Sequence, residues 1–229
     1  MHLTAWRRNG PEIFDAVNSV SADVYVFTGD QIFKESGIDA FWEWFDRFGG
    51  KLNPCVMILG NAENKPNVRT SLFEEQAINR DIPLLNNMTT LLRLGDSNLQ
   101  IVGTNDPHTF RSHIQSAYDN ADPDLWTLLL IHSPDGVSEL NGRRADLILC
   151  GHTHGGQICL PGIGPLGQNT RRVRGLVVGW YSGEELKRKA GCELGEAKLY
   201  VCRGLGMSRI ALRSGCRPEL ALFELRRKD

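Results

Sequence analysis

No apolar run in this chain approaches the roughly 20 residues that a membrane-spanning helix needs. Residues 1–20 also lack the continuous apolar stretch of a signal peptide. As written, the chain is expected to be soluble and cytoplasmic. There is no C-x-x-C pair among the cysteines at 55, 150, 159, 192, 202 and 216, which argues against a zinc ribbon or a thioredoxin-type redox site. Cys55 and Cys150 lie in apolar strand-like runs, where cysteine acts as a small buried hydrophobe. Disulfides stay open at this point, a reduced compartment being the simpler reading. Charge of one sign is also lacking: 26 basic against 27 acidic residues leave a formal net charge of -1. No global field draws such a chain to nucleic acid, and no nucleic-acid partner is expected. Repeats, low-complexity tracts and linkers are absent too. The length of 229 residues with 41% hydrophobic content therefore suggests one domain over 1–229 with a sizeable core.

What the sequence does contain is a recurring unit, a short apolar strand running into a polar or glycine-rich loop. Residues 23–28 are β-branched and aromatic, then break at Gly29-Asp30. Residues 55–59 break at Gly60-Asn61, 126–131 end at His132, and 145–150 end at Gly151-His152. Further strands are expected over 82–85, 89–94, 98–103, 176–181, 197–202 and 219–225. Helical spacing marks 37–48 and 69–80, and a short helix is expected over 109–118. Residues 155–175, rich in glycine and proline, read as a loop. The pattern gives one α/β domain with two packed sheets and flanking helices.

Metal-ligand residue types recur at these strand ends: Asp30, Asn61, His132, His152 and His154. Strand ends on one sheet edge converge, and ligands gather there in open α/β sheets. Residues two apart on an extended segment face the same way, so His152 and His154 can serve one site. Imidazole, carboxylate and amide oxygen together suit manganese, iron or zinc, and a shared aspartate can bridge two ions roughly 3.5–4 Å apart. Taken singly, Asp30 and Asn61 are more often turn or cap residues. Two histidines in the glycine-rich run Gly151-His-Thr-His-Gly-Gly156 have little structural use, and the ordered set points to a metal site.

These blocks resemble the calcineurin-like metallophosphoesterase superfamily, whose motifs are D-x-H, G-D, G-N-H-[DE], a lone histidine and G-H-x-H. Gly29-Asp30, Gly60-Asn61-Ala62-Glu63, His132 and Gly151-His152-Thr153-His154 match in order. His132-Ser-Pro-Asp135, the run from Gly151 to Gly162, Arg203-Gly-Leu-Gly206 and Arg217-Pro-Glu219 are similar to the YkuE/YaeI-type phosphodiesterases. The resemblance implies a four-layer α-β-β-α sandwich and a binuclear centre of two divalent ions (Mn, Fe or Zn). It implies Asp30 as bridge, with Asn61, His132 and His152 on one ion, and His154 and His2 on the other. Asn61 and His132 are the residues expected to be catalytic. The Asp of D-x-H and the first strand of the family pattern do not occur, so by comparison the domain is N-terminally incomplete and the first metal site weak. The histidine of G-N-H is Ala62 here, which removes an imidazole expected to protonate the leaving group.

The resemblance implies a metal-dependent phosphoesterase of phosphodiesterase or pyrophosphatase type, its partner a small or lipid-linked phosphate ester. Peripheral membrane association is an option it leaves open. Two other readings are an impaired metal- or phosphate-binding homologue and a truncated form of a membrane-associated enzyme. Arg171, Arg172 and Arg174 form a basic cluster, read either as a solvated loop or as a clamp on an anionic substrate. Asp106 and His108 read as packing residues of a turn near the site. Trp42 and Trp44 read as helix-face packing, or as a membrane contact if exposed.

Overall fold

The computed structural model describes residues 2, 10–208, 210 and 212–226. Strands β1 (Tyr25–Phe27) and β2 (Cys55–Met57) pair in parallel. A single bridge from Met57 to Leu84 extends them, where a strand over 82–85 was expected. Strands β3 (Met88–Leu94), β4 (Ser97–Gly103), β5 (Thr127–Leu130), β6 (Leu147–Cys150), β9 (Gly179–Ser182) and β10 (Lys198–Val201) form the large sheet. Its order is β3-β4-β5-β6-β10-β9, with parallel pairing from β4 through β10 and antiparallel edges. A two-residue hairpin, β7 (Cys159–Leu160) with β8 (Gly164–Pro165), interrupts the expected loop of 155–175.

Alternation along the strands produces the layers. Cys55 and Met57 face helices α1 (Gly10–Asn18), α2 (Ile38–Asp46) and α3 (Thr70–Ile78), packing with Phe41, Trp42 and Phe73. Val56 and Ile58 face the other way and meet Ile101, Leu128, Leu130 and Leu149 of the large sheet. Leu129, Ile148, Leu199 and Val201 point to the far side, against the short helix α4 (Ile114–Ala117) and helix α5 (Gly183–Ala190). Three apolar interfaces between successive layers make an α-β-β-α sandwich, as period-two strands buried on both faces require.

Several elements differ from the sequence reading. Helices α1 and α5 bury only Ile13 with Val17 and Leu186 with Ala190, each pair four residues apart. Those short stripes escape a search for longer periodicity. In α5, Glu184 and Glu185 sit in the first turn and Lys187, Arg188 and Lys189 in the last, complementing the helix dipole. Gly191 closes it at φ 73 with its N–H on the Lys187 carbonyl. The helix expected over 109–118 shrinks to Ile114–Ala117, because Asp106 accepts from the Thr109 N–H and folds 106–111 into a turn. Residues 219–225 form no strand. Ala221 and Phe223 are half-buried and Leu220 and Leu222 exposed, so the alternation holds, but no ladder bonds accompany it among the described residues. Phe223 instead packs on Tyr200 and Trp180 at ring distances of 5.1 and 5.5 Å. Trp42 and Trp44 are both buried, which removes the membrane-contact reading for them.

Candidate metal centre

Two tight loops carry the site, and they touch. A Cβ added at Gly29 would lie 2.5 Å from His132 Nδ1 and 2.8 Å from the Gly60 backbone. One added at Gly60 would meet an Asp30 carboxylate oxygen at 2.4 Å. Only glycine at both positions lets the loops after β1 and β2 approach so closely. Asp30 itself adopts φ 55, a conformation Asp and Asn tolerate better than most residues.

Glu63 fastens these loops. Its buried carboxylate accepts from the backbone N–H of Asp30 (3.0 Å), Ile32 (2.9 Å) and Gly60 (2.9 Å). Asp30 Oδ1 accepts in turn from the Ala62 N–H at 2.8 Å. The sequence reading noted Glu63 as an acidic position without giving it this role.

Around Asp30 the donor atoms fall into two groups. On one side His132 Nε2 lies 3.4 Å from Asp30 Oδ1, 3.2 Å from Asn61 Oδ1 and 3.2 Å from His152 Nδ1. On the other, His2 Nε2 lies 3.1 Å from Asp30 Oδ2 and 3.1 Å from His154 Nε2, the two rings being stacked at 5.0 Å. Asp30, His132 and His152 form one set of ligand atoms within 4.8 Å of one another, and His2, Asp30 and His154 form another. All six residues named from the sequence thus come together, with one Asp30 oxygen facing each group. The three ring residues in the loops after β5 and β6 reach the cluster because those parallel strands end at the same edge.

The donor chemistry fits a cation. His132 Nδ1 donates to the Thr28 carbonyl at 2.6 Å, so the neutral ring turns a lone pair on Nε2 toward an amide oxygen and a carboxylate oxygen. Acceptors this close repel one another unless a positive charge stands among them. Without a cation the ring takes a proton. Burial acts to lower the His132 pKa, but the Asp30 charge outweighs it and raises the value to about 9. Burial would also raise the Asp30 pKa, yet His132 and His2 hold it well below the carboxylate range. Burial, with His132 nearby, lowers His152 to about 3. His154 is driven well down by burial and by His2. Two neutral imidazoles and an ionised carboxylate are the forms in which these groups ligate metals. Glu63 is pushed the other way, upward, first by burial and then by the Asp30 charge.

Other residues around the centre were missed or read differently. The side-chain amide of Asn169 lies 3.1 Å from His152 Nε2 and fixes that ring from behind. The same amide nitrogen donates to the His152 backbone carbonyl at 3.3 Å, holding the residue from both its ring and its main chain. No motif in the sequence pointed to Asn169, which reaches His152 only through the fold. Asp135 accepts from the backbone N–H groups of Arg171, Arg172 and Val173, anchoring the loop that holds Asn169. The arginines do not converge on the donor cluster. Arg172 pairs with Glu139, Arg171 reaches the His108 carbonyl at 3.5 Å, and Arg174 is exposed. His108 is half-buried with its ring 4.6 Å from that of His152, beside the centre as a turn near the site implies.

Comparison with known proteins identifies the family. The calcineurin-like phosphoesterase model matches residues 8–156. Phosphodiesterase YaeI of Escherichia coli is 28% identical over 214 residues, covering 89% of this chain and 70% of YaeI. The metallophosphoesterase YkuE of Bacillus subtilis is 30% identical over 141 residues, covering 62% of this chain and 45% of YkuE. The UDP-2,3-diacylglucosamine pyrophosphatase LpxG of Chlamydia trachomatis is 31% identical over 129 residues, 56% of this chain and 37% of LpxG. The chain thus matches less than half the length of the last two. Because the family match runs through every loop that brings a donor atom to the centre except that of His2, the chain belongs to the calcineurin-like phosphoesterase family.

Proposed function

We propose that this chain is a metal-dependent phosphoesterase, of phosphodiesterase or pyrophosphatase type, working at a binuclear centre. Asp30, Asn61, His132 and His152 would hold one divalent ion, and Asp30, His154 and His2 the other. The observation that carries this reading is the crowd of acceptor atoms around His132 Nε2, with the second Asp30 oxygen turned to His2. Divalent ions bound there supply Lewis-acid polarisation of phosphoryl oxygens and a nucleophilic water near neutral pH.

The chain's own residues set the geometry for that chemistry. Thr28 and Asn169 orient the rings of His132 and His152, and Glu63 holds Asp30 and Gly60 in place. Asp30 presents one oxygen to each group of ligands. The first group has four protein donors and the second three, so the ion beside Asn61 is the one held more tightly. Ala62, fully buried beside Asp30, offers its backbone N–H but no imidazole.

The expected activity is manganese-dependent hydrolysis of bis-p-nitrophenyl phosphate, slow because no acid stands at position 62. Esters with poor leaving groups should suffer more, since that is where a general acid acts. Ala62→His is therefore expected to speed a poor-leaving-group diester by about 10- to 100-fold and the nitrophenyl ester far less. Steady-state rates on both substrates check this. An unchanged ratio between them would remove the role assigned to position 62. Wild-type protein with no turnover in manganese would favour the reading as an impaired metal-binding homologue, for which Ala62 is the observation.

A further inference from the structure

The stretch from Gln157 to Gln168 contains no charged residue. It leaves the donor cluster directly after His154, runs out along β7 and returns along β8, with the Leu166 N–H on the Ile158 carbonyl at 2.9 Å. The segment 212–214 lies beside it: Ile158 bridges to Ser214, and the Gln157 amide donates to the Ile210 carbonyl at 2.9 Å. On these adjoining segments Leu160, Ile163, Leu166, Ile210 and Leu212 are 41%, 73%, 60%, 59% and 52% exposed. One such residue needs no explanation, but five on two neighbouring segments form the kind of apolar surface that soluble proteins keep for a partner.

The charge pattern of the segments that carry this surface identifies the partner. The whole chain has a net charge of -1, yet residues 157–182 and 202–218 contain no Asp, Glu or Lys. Their charged residues are all arginines, at 171, 172, 174, 203, 209, 213 and 217. Arg172 and Arg203 are paired with Glu139 and Glu219, and Arg213 donates to backbone carbonyls. Arg171, Arg174 and Arg217 are exposed. An uncharged apolar projection carried on chain segments whose exposed charges are arginines is the combination that binds an anionic lipid interface, burying side chains at the acyl boundary and placing arginines among the headgroups.

We propose that the β7–β8 hairpin and the adjoining Ile210 and Leu212 seat this protein on an anionic phospholipid bilayer. The hairpin starts at Cys159, five residues after His154, so docking brings the donor cluster close to the lipid headgroup layer. The idea that phosphate esters of that layer are the substrate rests on the proposed function. Membrane docking itself does not.

Sedimentation with unilamellar vesicles tests the docking. The full chain is expected to co-sediment with vesicles of equal parts phosphatidylcholine and phosphatidylglycerol, and much less with phosphatidylcholine alone. The double variant Ile163→Asp, Leu166→Asp should lose about tenfold or more in vesicle affinity, with its circular dichroism and bis-p-nitrophenyl phosphate turnover unchanged. Absence of wild-type co-sedimentation, equal binding to both vesicle types, or undiminished binding by the double variant would each overturn the proposal. So would a wild-type dimer that the double variant converts to a monomer, because the surface would then be an interface between copies. Wild-type protein that binds vesicles but never hydrolyses the soluble ester would count against the proposed function and leave the docking standing.

Discussion

Asp30→Asn is expected to lower manganese-dependent turnover of bis-p-nitrophenyl phosphate by on the order of 10³ while leaving the fold intact. The substitution is nearly isosteric. An amide oxygen can still accept from the Ala62 N–H, and Asn tolerates the positive φ found at this position. What it removes is the one negative charge that faces both groups of histidines. A Lewis-acid contribution of several kcal/mol corresponds to roughly a thousandfold in rate. Kinetics should be paired with thermal unfolding, so that lost structure is not mistaken for lost chemistry. A variant that keeps turnover within about tenfold of wild type would place the activity outside this centre.

Glu63→Ala is expected to act on stability instead. Three backbone N–H groups, of Asp30, Ile32 and Gly60, would lose their common acceptor in a fully buried place. Each buried donor left without a partner costs about 1–3 kcal/mol. Allowing for local relaxation and incomplete additivity, the loss should be about 4 kcal/mol, a large part of the roughly 5–15 kcal/mol that stabilises a typical domain. Urea unfolding measures it through the shift in midpoint. Glu63→Gln keeps one acceptor oxygen and should fall between the two. A loss under about 1 kcal/mol for Glu63→Ala would show that water replaces the carboxylate, and that the two loops are held by other means.

Much of this candidate centre was legible in the sequence because its donor residues sit where strands stop. A β-branched run ending in glycine and a polar residue marks both a strand end and a loop edge, and parallel strands bring such edges together. Asp30, Asn61, His132, His152 and His154 could be named on that basis, with His2 added by the family resemblance. The supporting residues were not legible, for a physical reason. Asn169 meets His152 from a loop that Asp135 anchors, and neither contact has a fixed sequence spacing. Glu63 was visible as a residue, but its three backbone partners exist only once the loops have met.

The fold divides in the same way. The strand-rich pattern at 89–94 and 98–103 announced the strands found at Met88–Leu94 and Ser97–Gly103. Helices α1 and α5 were missed because each buries a single i,i+4 pair, and α5 is otherwise built from charged residues. At 219–225 a strand was expected and none forms, although burial alternates along the segment. Period two shows which side packs, while a ladder also needs a neighbour for the backbone. The arginines at 171, 172 and 174 looked like one cluster in sequence, but their side chains part toward Glu139, the His108 carbonyl and solvent.

The central claim is that the donor cluster holds divalent metal, and anomalous diffraction at the manganese edge tests it most directly. Crystals equilibrated with manganese are expected to show a strong peak among Asp30, Asn61, His132 and His152, with a weaker one beside His2 and His154. Asp30→Asn crystals treated identically should show neither. No peak among these side chains in wild-type crystals, with manganese found only at surface carboxylates, would contradict the account.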